Sequence, residues 1–271
     1  MTLESWLAKH PYLQPIAEFH VQVAEAANSL TMSSVQIPNW QAYSEEYKDG
    51  IPVLSSSQAT TDVVEIQRNL LLLLANLASM PASPEMKREV DQLYAQCREE
   101  PVALGRAVAA LLDHGDCEFS HPGLFRHLGW TVLARYLAPL VAAFETWRDE
   151  EGWFHEYCPV CGSGPCMAQL VGTEPGRRRF LVCGCCGTRW PFKRMGCPFC
   201  GAADDHRLST LVVAGEKHLR IDCCDSCSGY LKTYDGQGSE SVLLTDWTTF
   251  HLDILAKDRG LQRLADSLYE L

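Results

Sequence analysis

The chain has 271 residues, 46% of them hydrophobic, and a formal net charge of −11. That length allows one large domain or two to three smaller ones, and that apolar content excludes general disorder. The charge is lopsided, with 10 Lys+Arg against 20 Asp+Glu in residues 1–151 and 13 against 14 in residues 152–271. An acidic half of this kind repels nucleic acid and suits a solvated, solubilising surface.

The opening "MTLESWLAKHPYLQP" lacks the basic and long apolar regions of an export signal. The most apolar run, Asn69–Met80, is too short to cross a bilayer. A soluble cytoplasmic protein without stable membrane insertion is therefore expected. The 13 cysteines are odd in number, so full intramolecular disulfide pairing is excluded. In a reducing compartment such thiols stay free or bind metal.

In chain order, "PIAEFHVQVAEAANSL" spaces Ile16, Phe19, Val23 and Ala26/Ala27 as one helical face, with Pro15 suited to the first turn. The polar stretch "QAYSEEYKDGIPVLSSSQ" is expected to be a loop. A helix then starts at Thr61 or Asp62 as N-cap and is apolar on nearly every side from Leu70. Such a helix suits a central core position, with a buried homodimer face as the alternative. Ser83 and Pro84 open the next helix as N-cap and first helical residue. "PVALGRAVAALLDHG" predicts a short amphipathic helix, and the stretch from His121 to Gly152 a long one bent at Pro139. Five or six helices with short connections predict an all-α domain over 1–152. Cys97 and Cys117 stand alone within it, as small buried hydrophobes do.

After Trp153 the pattern changes. "RRRFLVC", "RLSTLVVAG" and "KHLRIDC" are short strand-like runs, and Gly215–Lys217 marks a hairpin turn. The last segment, from "DWTTFHLDILAKDRG" onward, returns to helical spacing with a break at Gly260. The expected class is α+β multidomain. An all-α domain precedes two tandem rubredoxin-like or zinc-ribbon-like modules, over 153–195 and 196–271, the second ending in a helix.

Four CxxC pairs carry the chemistry: Cys158/Cys161, Cys183/Cys186, Cys197/Cys200 and Cys224/Cys227. A CxxC turn aims two thiolates at one point, and two turns make a tetrahedral four-sulfur site for zinc or iron. Gly162, Gly187 and Gly201 directly follow three pairs and relieve the tight backbone of such a turn, while Gly229 lies two residues after the fourth. Twenty-one residues separate the first pair from the second and 23 the third from the fourth, whereas ten separate the second from the third. Each longer interval holds a hairpin's length of strand-like sequence, so sequential pairing is expected and nested pairing is the alternative.

Four thiolates saturate a tetrahedral ion, so the bland function is structural, worth roughly 10–16 kcal/mol in zinc-finger peptides. An iron site that senses or passes an electron is the sharper one, and the residues do not choose between iron and zinc. Cys166, Cys185 and Cys223 remain as alternate ligands, reactive thiols or buried bystanders. His155, His206 and His218 lie near knuckles that need no fifth ligand, and His251 beside Asp253 suits a helix cap. Arg177–Arg179 is expected on an exposed strand edge, with Arg178 facing away from its neighbours. The chain holds no phosphate-binding loop, nucleophile elbow, HExxH or carboxylate dyad, so no catalytic residue is assigned.

The set "CPVCGSGP", "LVCGCCGTRWPFKRMGCPFCG", "RIDCCDSCSGYLKTYD" and "DWTTFHLDILAKDRG" resembles the formate dehydrogenase accessory protein (FdhE) family, over roughly Tyr157 to Gly260. The resemblance implies a cytoplasmic, non-catalytic assembly factor that binds the catalytic subunit of formate dehydrogenase during maturation. It carries the family's metal cysteines onto Cys158, Cys161, Cys183, Cys186, Cys197, Cys200, Cys224 and Cys227, with iron as the associated metal at two sites. A zinc-ribbon nucleic-acid binder and a small rubredoxin-like redox or sensor protein are the alternatives, the former opposed by the charge.

Overall fold

The computed structural model describes the chain except residues 34, 114, 116–117, 174–175, 238–240, 266 and 270–271, so Cys117 lies outside the described residues. The helices are α1 (Leu3–Leu7), α2 (Gln14–Asn28), α3 (Trp40–Lys48), α4 (Val63–Ser79), α5 (Pro84–Glu99), α6 (Pro101–Leu112), α7 (Pro122–Trp147) and α8 (Phe250–Asp258). The strands are β1 (Pro165–Val171), β2 (Arg178–Cys183), β3 (Arg189–Phe192), β4 (Leu208–Val212), β5 (Leu219–Cys224) and β6 (Gly229–Asp235). No helix among the described residues is long and apolar enough to cross a membrane.

One compact unit, built on His10–Asn39 and Ser57–Thr146, carries α2, α4, α5, α6 and most of α7. Its helices begin where the sequence caps them. The Asp62 carboxylate accepts from the Glu65 amide at 2.9 Å and the Ser83 hydroxyl from the Met86 amide at 3.2 Å. On α4, Ile66, Leu70, Leu73, Leu74 and Leu77 are buried, and α2, α5 and α6 pack against the helix. Leu72 is 48% exposed, so the run of leucines has an outward side. Helix α7 continues through Pro139, with Leu140 and Phe144 still buried beyond it.

The second unit joins Met1–Lys9 and Trp40–Ser56 to Trp147–Ser267. Two N-terminal segments thus group with the cysteine-bearing sequence, across the expected boundary near residue 152. The second of them was expected to be a loop and contains α3 instead. Tyr43 and Tyr47 are buried one turn apart, Trp40 stacks on Trp147 at 5.0 Å, and Tyr47 stacks on Trp153 at 5.2 Å. Aromatic anchors spaced among polar residues make a helix that a plain hydrophobic pattern hides. Beyond α3, the Val53 and Leu54 amides donate to Pro159 O and Val160 O, both at 2.9 Å, which ties this segment to the first knuckle.

Six strands form one sheet in the order β3-β2-β1-β6-β5-β4. Strands β1 to β3 are an antiparallel meander, and so are β4 to β6. The two expected modules therefore do not end at their own edges. Parallel pairing of β1 with β6, Met167 opposite Lys232 through Leu170 opposite Asp235, fuses them. Pro191 lies in β3, an edge strand, where a missing amide is tolerated. The C-terminal helix stops at Asp258, and Gly260 adopts φ +75°. The chain then turns back, and the Gln262 amide donates to Ser228 O at 2.8 Å.

A buried charge cluster fastens this C-terminal segment to the sheet. Lys232 on β6 is 1% exposed, and its ammonium donates to Asp246 Oδ1 at 2.6 Å and Asp253 Oδ2 at 2.7 Å. Arg263 donates to both Asp246 oxygens at 2.5 and 2.6 Å, and the Tyr230 hydroxyl to Asp253 Oδ1 at 2.7 Å. The capping role expected for His251, beside Asp253, is not observed, and His251 Nε2 lies 3.3 Å from Glu216 Oε1. The Asp253 carboxylate turns inward to an ammonium, and α8 has no side-chain cap. A desolvated cation outweighs a cap because leaving it unpaired costs several kcal/mol.

Replacing Lys232 by Met is expected to lower stability by about 3–5 kcal/mol, through uncompensated carboxylates, in urea unfolding of the metal-loaded protein. Burial alone would raise the Asp246 carboxyl, but Lys232 and Arg263 hold it below its usual value near 3.8. Its contribution is therefore present above that value and is lost as pH falls through the depressed native one.

Candidate metal centres

The eight cysteines converge as two groups of four, Cys158/Cys161/Cys183/Cys186 and Cys197/Cys200/Cys224/Cys227, with the ligand atoms of each group within 4.8 Å of one another. Sequential pairing is thus observed and nested pairing is not. In the first group Cys158 and Cys186 Sγ are 3.5 Å apart, and Cys161 and Cys183 Sγ 3.4 Å. In the second, Cys197 and Cys227 Sγ are 3.7 Å apart, and Cys200 and Cys224 Sγ 3.6 Å. A regular tetrahedron with metal–sulfur bonds of about 2.3 Å has edges of about 3.8 Å, so the donor set and its spacing fit a zinc- or iron-sized ion.

Each knuckle is built by the backbone. The amides of Gly162, Gly187 and Gly201 donate to the carbonyls of Cys158, Cys183 and Cys197 at 2.9, 3.2 and 3.0 Å. The amides of Cys185 and Cys186 both point at Cys183 Sγ, at 3.4 Å. The residue after the second cysteine of each pair is left-handed, with φ of +79°, +78° and +73° at Gly162, Gly187 and Gly201. In the fourth knuckle that residue is Ser228, φ +56°, rather than the glycine one position later. A Cβ there works against the backbone.

The groups are poised to carry negative charge. Burial opposes ionisation of Cys183, yet hydrogen bonds from Cys158, Cys161, Cys185 and Cys186 pull its thiol well below the ordinary range. Burial likewise opposes ionisation of Cys224, but the amides of Cys227 and Ser226 and the thiols of Cys200 and Cys197 bring it down to about 7. Burial pushes Cys158 and Cys161 well up, and Cys197 up to about 12. A cation replacing the thiol protons removes this conflict.

The centres differ in their surroundings. Cys158, Cys161 and Cys183 are buried and Cys186 half-buried, whereas Cys200 of the second group is exposed. Ser163 Oγ lies 3.2 Å from Cys161 Sγ, and Thr188 Oγ1 lies 3.1 Å from Cys186 Sγ. Ser163 and Thr188 stand two residues after their knuckles, where Ala202 and Gly229 stand in the second module. The repeated "CG" followed by Ser or Thr was legible in the sequence, but its meaning needed the sulfur positions.

The leftover thiols separate. Cys185 is buried beside Cys183 and hydrogen-bonded to it, a fifth thiol at the first centre. Cys166 packs with Met167 and Val182 in the core, Cys97 is buried in α5, and the Cys223 thiol donates to Ile221 O at 3.6 Å. His155 stacks on Tyr157 at 5.1 Å, His218 contacts Asp235 O at 3.1 Å, and His206 is exposed. The Arg177–Arg179 run is not one exposed edge. Arg177 pairs with Asp235, Arg178 with Glu150, and Arg179 is buried, donating to Gly196 O at 2.8 Å. A guanidinium can be interior when a carbonyl and a carboxylate meet it, a fact that alternation alone does not disclose.

Helices, one mixed sheet and paired CxxC knuckles define a protein with two four-cysteine centres on tandem rubredoxin-like modules. No family model matches the chain. It is 28% identical over 254 residues to the FdhE homologue of Aquifex aeolicus, covering 92% of this chain and 83% of that one. It is 33% identical over 201 residues to the homologue of Stutzerimonas stutzeri, covering 70% and 61% respectively. Against the homologue of Pseudomonas putida, identity is 34% over 120 residues, 37% of that protein's length. The crystal structure of the FdhE protein from Pseudomonas aeruginosa shares the fold, with a TM-score of 0.65 at 21% identity over 95% of this chain and 88% of that chain. The chain is thus similar to FdhE proteins over most of its length and shares their fold.

Replacing Gly187 by Ala is expected to cost about 1 kcal/mol through the left-handed backbone alone, since a Cβ there meets nothing within 4 Å. Ser228→Gly is expected to gain about 0.5–1 kcal/mol, both changes measured as midpoint shifts in chemical unfolding.

Proposed function

We propose that the protein is a non-catalytic accessory factor for formate dehydrogenase that binds the enzyme's catalytic subunit during maturation in the cytoplasm. The observation that carries this reading is the pair of four-cysteine groups on an FdhE fold, in a chain similar to FdhE homologues over most of its length. Cys158, Cys161, Cys183 and Cys186 would hold one ion and Cys197, Cys200, Cys224 and Cys227 a second, iron or zinc. Bound there, the ion supplies a cross-link between two knuckles and, if it is iron, a one-electron couple. The chain's own residues fix the sulfurs, shield them and direct amides at them. The boundaries 153–195 and 196–271 are proposed as the two metal-dependent folding units.

Exposure of Cys200 favours a second role for the distal centre as a redox or metal sensor, while the first centre is architectural. Solvent access admits chelators, oxidants and partners to one centre and not the other.

Purified anaerobically, the protein is expected to contain two ions per chain, and the Cys158→Ser/Cys161→Ser variant one, by elemental analysis. A chelator is expected to strip the wild type in two phases, with the fast phase abolished in the Cys200→Ser variant, whose second centre is already weakened. In cells, deletion of the gene is expected to reduce formate dehydrogenase activity severely, and the tagged protein to co-purify with the catalytic subunit. Normal activity together with no co-purifying subunit would sink the accessory role.

A further inference from the structure

Beside the second centre, on the sheet unit, lies an open cleft that the family role leaves unused. Three arginines line it, Arg179, Arg194 and Arg220, against one carboxylate, Asp222. That carboxylate is heavily committed. Asp222 Oδ1 forms an ion pair with Arg220, 2.9 Å from Nε, and accepts from the Thr210 hydroxyl at 3.3 Å, while Oδ2 accepts from the Thr233 hydroxyl at 2.7 Å. Arg179 reaches it only at 3.6 Å. Arg179 is 5% exposed, and its Nε has no hydrogen-bond partner among the described residues. The Arg179 Nε is thus a buried donor without an acceptor, and Arg194 and Arg220 line the same cleft.

The walls limit which anion fits. Met195, Phe199, Leu208 and Leu231 supply apolar surface, with Met195 half-exposed beside Arg194. Guanidinium edges match the planar carboxylate with paired hydrogen bonds, and an apolar arm would lie along the remaining wall. We propose that this cleft binds a carboxylate carried on an apolar arm, from either a small organic acid or the C-terminus of a peptide chain.

Cys197 and Cys224 also line the cleft, so a loaded metal centre adds negative charge at one end. A role for Arg179 confined to balancing the charge of that centre is the competing account. The two differ in what an arginine variant loses, metal or ligand.

The test titrates the metal-loaded, full-length protein with hexanoate, with acetyl-Ala-Ala-Leu as the free acid, and with the same peptide as its C-terminal amide. Chemical-shift changes or heat report binding. The free acid is expected to bind and the amide to bind at least about tenfold more weakly. Arg220→Gln and Arg194→Gln are each expected to weaken the free acid by about tenfold while metal content stays unchanged. Hexanoate binding as tightly as the peptide assigns the small acid, and a tighter peptide assigns the chain terminus. Equal binding of acid and amide, no binding of any probe at millimolar concentration, or unchanged affinity in both variants overturns the proposal. So does an Arg179→Lys variant that loses metal yet binds the free acid as the wild type does.

Discussion

Four sulfur atoms held 3.4 to 3.7 Å from their neighbours are the constraint to which the rest of the sheet unit answers. As thiolates, a pair at that distance repels by about 5 kcal/mol even at an effective dielectric of about 20. As thiols, they waste donors in a buried place. The chain resolves the conflict with amides directed at sulfur, left-handed residues that close each knuckle, and room at the centre for a cation. Hairpins then bring the knuckles together in pairs, because an antiparallel return delivers the second CxxC to the end where the first began.

Two such modules could stand side by side as beads. Here the parallel pairing of β1 and β6 makes one sheet of them, and burial of Lys232 beneath Asp246, Asp253 and Arg263 seals the C-terminal segment over the join. Lys232 lies opposite Met167 in that pairing, so the charge cluster sits at the seam between modules. Such a cluster adds less to stability than an apolar core of similar volume, but it fixes which segments meet. Charge specifies the partner, and apolar burial supplies the bulk of the energy.

The two centres share a ligand set and differ in everything around it. The first is tied to the Trp40–Ser56 segment through the Pro159 and Val160 carbonyls and touched by the hydroxyls of Ser163 and Thr188. The second exposes Cys200 and adjoins an arginine-lined cleft. Hydroxyl contacts and enclosure tune and shield a metal–sulfur centre, and exposure makes it responsive.

Short-range physics made much of this protein legible from its sequence. The CxxC spacings implied sequential pairing, because a hairpin needs some twenty residues and a linker needs fewer. Asp62, Ser83 and Pro84 marked helix starts, since capping acts within one turn. What the sequence withheld depends on residues far apart in the chain. Helix α3 exists because Trp147 and Trp153 meet Trp40 and Tyr47 across about a hundred positions. Lys232 and Arg179 are charged residues turned inward, and only their distant partners make that tolerable. The fusion of two modules into one sheet is likewise a decision of tertiary structure. Strand edges carry no local signal of which other edge will satisfy their hydrogen bonds.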